Sequence, residues 1–171
     1  MTSSGRYSVV AAIYLNSRGF AFVLFEGPLA PRDWGVVEAR GKDKRERLLS
    51  RIDRLLSRYT PDVLVLQDTS HNGTDRPHRI RRLNEAVAEA AERYGLQVLS
   101  FSRTEVREHF AYLGSVTKDT IAGAIAKHIP AFERFLPPPR KLWQSEDARM
   151  GIFDAAALAL TFFYANGQGR G

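Results

Sequence analysis

The sequence predicts an α/β domain with a mixed five-stranded sheet flanked by helices, and three observations carry this prediction. Five short apolar segments have the composition of buried strands. The first three follow one another without an intervening helix, which is typical of an antiparallel meander. The last two alternate with amphipathic helical segments, which is typical of parallel strands joined by crossover helices.

Composition limits the possible function classes before any motif is considered. The chain has 171 residues, so we expect a single domain over 1–171 with loose tails at 1–6 and 167–171. It has no cysteine, which excludes disulfides, thiol catalysis and cysteine metal sites. Its first apolar run is too short and too interrupted for a signal peptide or a membrane span. We therefore expect a cytoplasmic protein without a membrane partner.

The charge balance favours an anionic partner. Lys and Arg number 25 against 19 Asp and Glu, which gives a formal net charge of +6. Nucleic acid is the commonest anionic partner of a basic domain, although many small basic proteins bind none.

The meander consists of the first three predicted strands, Ser8–Tyr14, Phe20–Phe25 and Trp34–Ala39. The run Asn16–Gly19 has the residue types of a tight turn, so the first two strands should form a hairpin. We expect the third strand to lie at an edge of the sheet.

Two helices then alternate with the remaining two strands. Lys42–Tyr59 and Arg79–Tyr94 have apolar residues at helical spacing and charged residues on the other face. The segments 62–68 and 96–101 are short apolar runs bounded by turn residues, so they are predicted strands.

The C-terminal part is predicted to be helical. Short helices are expected at 102–109 and 117–129, followed by a proline-rich connection. A last helix is expected to run from Ser145, as its N-cap, to about Tyr164.

Three segments resemble motifs of the RuvC-type Holliday-junction resolvases, which are RNase H-like nucleases. The hairpin Ile13–Phe22 resembles the family's opening, where a strand ends in an Asp and a turn leads to a glycine–aromatic pair. The strand Pro61–Asp68 is similar to the strand that ends in a catalytic Glu. The segment Ile152–Leu160 is similar to the last helix, where an Asp precedes an Ala- and Leu-rich stretch. The resemblance implies an RNase H-like (RuvC-type) fold for almost the whole chain.

The resemblance also implies an activity, cofactors and partners. In such endodeoxyribonucleases two Mg²⁺ or Mn²⁺ ions lie about 4 Å apart and are held by four carboxylates. The ions activate the water and stabilise the leaving oxygen. Arg107 and Lys118 fall where the resolvases place two basic residues against DNA. Branched or single-stranded DNA is therefore the implied partner, and a homodimer is implied by the resemblance alone.

This sequence departs from the family at most of the acid positions. Tyr14 stands at the place of the first Asp, Gln67 at that of the Glu and Gly151 at that of a further Asp, while Asp154 is retained. A phenol, with an ordinary pKa of about 10, is a poor Mg²⁺ ligand near neutral pH, and an amide carries no charge. Asp68 becomes a candidate ligand if the strand has already ended before it.

Two further acids, Glu146 and Asp147, follow Ser145. In the first turn of the predicted helix, their negative charges would interact favourably with the positive end of the helix dipole. Asp147 would then lie about 10.5 Å from Asp154 along the helix axis, which is too far for both side chains to hold one ion. Instead of binding a metal ion, Asp154 could have a purely structural role, a salt bridge to a neighbouring arginine such as Arg149 or Arg107.

A cluster of basic residues follows the fourth strand, near the expected cleft. Phosphate contacts need no base sequence, so these side chains are candidates for binding nucleic acid. The alternative is a solvated helix face. The cluster consists of Arg76, Arg79, Arg81 and Arg82.

Three hypotheses follow. The first is a nucleic-acid-binding protein with lost or weakened nuclease activity and no metal. The second is an active nuclease with a rearranged acid site formed by Asp68, Asp154 and either Glu146 or Asp147, using Mg²⁺ or Mn²⁺. The third is a protein-interaction module. An actin-like ATPase is excluded, because the chain lacks a second domain and glycine-rich phosphate loops.

Overall fold

The computed structural model describes residues 9–69, 77–141 and 143–167. Its five-stranded sheet has the order β3-β2-β1-β4-β5. The strands are β1 (Val10–Leu15), β2 (Gly19–Phe25), β3 (Pro31–Glu38), β4 (Val63–Gln67) and β5 (Gln97–Phe101). β1–β2 and β2–β3 pair antiparallel, whereas β1–β4 and β4–β5 pair parallel, so the predicted mixed sheet with β3 at an edge is confirmed.

The β1–β2 hairpin is closed by Asn16. Its side-chain oxygen accepts hydrogen bonds from the main-chain N–H groups of Arg18, at 2.8 Å, and Gly19, at 3.0 Å. A Cβ atom at position 19 would lie 1.9 Å from the carbonyl oxygen of Val37, so only glycine fits against β3 here. The turn therefore fixes where β1 ends, and with it the position of Tyr14.

Helices cover both faces of the sheet and form two cores. On one face lie α1 (Lys44–Tyr59) and α2 (His78–Arg93), which pack on the odd-numbered residues of β1. On the other lie α3 (Arg103–Ala111), α4 (Lys118–His128), a 3₁₀ helix (Pro130–Phe135) and α5 (Met150–Ala165). Twelve of the sixteen residues of α5 are buried, which makes it the central helix of this face. In the described part of the chain, every helix is too short or too polar to cross a bilayer.

The start of the last helix differs from the prediction. The helix begins at Met150, so Ser145 is not its N-cap, and Glu146 and Asp147 precede it. Asp147 instead accepts a hydrogen bond from the main-chain N–H of Arg149, at 2.9 Å, and forms a turn before the helix. The predicted loose tails, 1–6 and most of 167–171, lie outside the described residues.

Candidate functional site

A cleft of about 950 Å³ lies at the carboxyl ends of β1 and β4. These strands are parallel, so their ends meet at the same edge of the sheet. Tyr14 and Gln67 reach this cleft from the face of the sheet that α5 covers, and Asp154 reaches it from α5 itself. Helices α3 and α4 supply the remaining walls. Three of the positions that the resemblance aligned with acids are thus brought together in one site.

Asp68 also lines this cleft. β4 ends at Gln67, and the main-chain N–H of Asp68 donates to the carbonyl oxygen of Phe101 at 2.8 Å. Because the strand has ended, the alternation of side chains no longer turns Asp68 away. Its role as a metal ligand stays a prediction.

The fourth aligned position, Gly151, is closed by packing. It is buried in the first turn of α5, and a Cβ atom there would lie 2.9 Å from the Cβ of Ala21 on β2. Ala21 pairs with Tyr14 across the hairpin and is itself fully buried. An aspartate at position 151 would therefore require the helix and the sheet to move apart.

The ammonium group of Lys118 lies between two of the carboxylates that line the cleft. Its Nζ lies 3.2 Å from Oδ2 of Asp154 and 2.6 Å from Oε1 of Glu146. It also lies 5.6 Å from the centre of the Tyr14 ring, within cation–π range. Only 13% of the Asp154 side chain is exposed, whereas about a third of the Lys118 side chain still faces solvent.

Lys118 stays charged in this position. Burial of the ammonium group lowers its pKa, but Asp154, Tyr14 and Glu146 together outweigh burial, so that the pKa is raised above its ordinary value. Lys118 was predicted to contact DNA, and the structure places it in the cleft with its charge already shared by two carboxylates.

Two neighbouring acids have different roles. Glu146, for which both a place in the first turn of the last helix and a place in a rearranged acid site were predicted, lines the cleft. Asp147 turns away and binds Arg149 through both carboxylate oxygens, at 2.6 and 2.9 Å. The Arg149 hydrogen bonds lower the pKa of Asp147 to about 2. Asp147 therefore stabilises the turn before α5 and is not among the described residues that line the cleft.

The basic residues are distributed unevenly. Arg107 lines the cleft, together with Arg103 and Arg140, which were not among the predicted site residues. The predicted contact of Arg107 with DNA stays a prediction. Arg103 and Arg107 are both exposed and stand one helical turn apart on α3. Neither makes an ion pair with any residue that the structure describes.

The predicted cluster after β4 is not part of the described cleft wall. Arg79, Arg81 and Arg82 lie on α2, which packs its apolar side chains onto the α1 face of the sheet. Only Pro77 of this region is a described lining residue. Arg76 lies outside the described residues, and the role of the whole cluster in binding stays a prediction.

The donor set does not match the two-metal site that the resemblance implies. Among the described residues, no three His, Cys, Asp or Glu side chains lie close enough together to hold a metal ion. The described cleft wall holds four acidic and four basic side chains, so it lacks the net negative charge that two divalent cations require. The acidic residues are Asp68, Glu105, Glu146 and Asp154, and the basic ones are Arg103, Arg107, Lys118 and Arg140.

Comparison with known proteins bears on the fold. No protein-family model matches the chain, and no curated protein matches it by sequence. Among solved structures, Thermus thermophilus RuvC superposes with a TM-score of 0.67 at 21% identity, covering 94% of this chain and 97% of that one. The yeast mitochondrial Holliday junction resolvase Ydc2 gives a TM-score of 0.60 at 14% identity, covering 93% of this chain and 79% of that one.

A viral protein shows the same architecture. The fowlpox virus Holliday junction resolvase superposes with a TM-score of 0.52 at 13% identity, covering 92% of this chain and 98% of that one. Identities this low establish architecture and leave activity open. The chain has the RNase H-like fold of the RuvC type, as the resemblance of its motifs predicted.

Proposed function

We propose that this chain is a nucleic-acid-binding protein in which the metal-dependent nuclease activity expected of a RuvC-type cleft is lost or weakened. One observation carries the proposal: of the four positions aligned with metal-binding acids, Tyr14, Gln67 and Gly151 carry no carboxylate, and the retained Asp154 is bound to a lysine.

The loss of charge accounts for the expected loss of activity. Phosphodiester cleavage with two metals requires ligands that hold both ions and compensate their charge. Asp154 and Glu146 offer two negative charges, one of which Lys118 already balances. A phenol and an amide in place of two carboxylates cannot supply the remainder near neutral pH.

The exposed arginines of α3 support a nucleic-acid partner. Arg103 and Arg107 both line the cleft and are exposed. The carboxylate of Glu105, which lies between them in the chain, accepts a hydrogen bond from the main-chain N–H of Ser102, at 3.0 Å, and caps α3. The arginines are therefore available for phosphate contacts, which supply most of the affinity of non-specific binding.

The similar structures suggest which nucleic acid to test first. Thermus thermophilus RuvC has also been solved in complex with a Holliday junction substrate, and that structure superposes on this chain with a TM-score of 0.65 at 21% identity. We propose DNA as the partner here, with four-way junctions and single strands as the first forms to examine.

The deciding experiment is a combined binding and cleavage assay. Labelled four-way junction, duplex, single-stranded DNA and RNA–DNA hybrid are incubated in EDTA, Mg²⁺ or Mn²⁺, with Asp154→Asn in parallel. We expect binding of similar strength in all three conditions and no cleavage. Metal-dependent cleavage that disappears in Asp154→Asn would overturn the proposal, and failure to bind any of the four substrates would favour a protein-interaction module.

A rearranged nuclease is the second candidate, and one observation favours it. Asp68, Glu146 and Asp154 all line the same cleft, although they do not form a metal-binding cluster in the described structure. Calorimetric titration of the wild-type protein with Mn²⁺ separates the candidates. Binding at micromolar concentration supports an active site, whereas no heat at millimolar concentration supports the binding protein.

A further inference from the structure

The Lys118 side chain is held in place by its helix. Lys118 is the first residue of α4, whose N-cap, Thr117, exchanges hydrogen bonds with Thr120 at 2.9 and 3.1 Å. Ile121 and Ala122 of the next turn are buried in the core. The capping hydrogen bonds and the buried side chains together fix the first turn of α4, and the Lys118 side chain extends from this turn into the cleft.

The two carboxylates around the ammonium group are also positioned independently of it. Asp154 lies on the buried helix α5. The segment that carries Glu146 is tied to the β1–β2 turn, because the guanidinium group of Arg18 donates to the carbonyl oxygen of Glu146 at 2.6 Å. Two acids from separate segments therefore converge on one cation position.

Tyr14 is suited to an ammonium ion at this position. The negative face of an aromatic ring attracts a lysine ammonium within about 6 Å, and here the distance is 5.6 Å. A hydrated divalent cation needs oxygen ligands instead, which the ring face does not supply. The residue that removes a metal ligand thus adds a contact to the lysine.

We propose that the ammonium group of Lys118 is the resident cation of this cleft, in the place where a RuvC-type site would hold a divalent metal ion. A divalent ion bound to Asp154 and Glu146 would contact the same carboxylate oxygens as Nζ, so the two cations exclude each other by contact and by charge. The inference concerns the cleft alone and does not depend on nucleic-acid binding.

The test is to remove the ammonium group and measure metal binding. Lys118→Met keeps the length of the side chain without its charge. We expect this variant to bind Mn²⁺ about tenfold or more tightly than the wild type, because removing a unit charge beside a carboxylate changes its cation affinity by about that factor. Mn²⁺ binding is measured by electron paramagnetic resonance, without nucleic acid, so failure here is distinct from failure of the proposed function.

Two controls define the site. Lys127→Met removes an exposed lysine at the far end of the same helix and should bind Mn²⁺ as the wild type does. The double variant Lys118→Met/Asp154→Asn should lose the affinity gained by the single variant. If Lys118→Met binds Mn²⁺ no more tightly than the wild type does, the inference is wrong.

The wild-type protein provides a measurement that does not require the variant to fold. A lysine ammonium held by two carboxylates exchanges its protons slowly enough to give a side-chain signal in proton–nitrogen NMR. The signal of Lys118 should persist in millimolar Mg²⁺. Its disappearance on adding Mg²⁺ would show that the metal displaces the lysine and would refute the proposal.

Discussion

Replacing Gly151 by alanine tests whether packing closes the fourth acid position. The added Cβ would lie 2.9 Å from the Cβ of Ala21, and both residues are buried, one in α5 and the other in β2. Overpacking of this kind costs about 1–3 kcal/mol. The matched control is Gly123→Ala on α4, where a Cβ meets nothing within 4 Å and the change should stabilise the helix by about 1 kcal/mol.

The two variants should therefore differ by about 2–4 kcal/mol in unfolding free energy. At about 2–4 °C per kcal/mol for a chain of this size, their melting temperatures should differ by at least about 4 °C, with Gly151→Ala the lower. The assay is thermal unfolding followed by circular dichroism. In an Ala21→Gly background the cost of Gly151→Ala should shrink, because the opposing methyl group is gone. Equal melting temperatures for Gly151→Ala and Gly123→Ala would refute the argument.

The remaining predictions concern the arginines of α3 and the turn before α5. Replacing both Arg103 and Arg107 by alanine should weaken DNA binding and lower the slope of log affinity against log salt by roughly 1.8 for duplex DNA, measured by fluorescence anisotropy. The control Arg93→Ala, at the exposed end of α2, should keep the wild-type slope. The pKa of Asp147 is lowered from 3.8 to about 2, so its contribution to stability is complete above about pH 4 and is lost as the pH falls through 2. The difference in urea midpoint between the wild type and Asp147→Asn should accordingly disappear over that range, and a constant difference would contradict the role of Arg149.

Most of the fold could be predicted because its signals are local. The buried strands are continuous apolar runs and α1 and α2 have clear amphipathic spacing, so their bounds agree with the prediction to within a few residues. The predicted start of α5 was wrong, and the reason is physical. Ser145 followed by two acids has the composition of a helix N-terminus, but Asp147 binds Arg149 and forms a separate turn.

The candidate site was predictable only in part. Tyr14 and Gln67 lie near the carboxyl ends of two parallel strands, so their convergence follows from topology. The pairing of Lys118 with Glu146 joins residues separated by a proline-rich connection, whose path no local pattern encodes. The contact between Gly151 and Ala21 likewise depends on the distance between a helix and a sheet, which residue type alone does not specify.

The substitutions in this cleft support one another physically. With Tyr14 and Gln67 in place of acids, Asp154 and Glu146 share a single lysine, which balances one of their two negative charges. Adding a carboxylate at position 14 would remove the aromatic contact to Lys118 and introduce a like charge beside Asp154. Adding one at position 151 would first require β2 and α5 to separate. Restoring an acid at position 14 or 151 should therefore destabilise the fold around the cleft without assembling a metal site, as expected of residues adapted to a single internal cation.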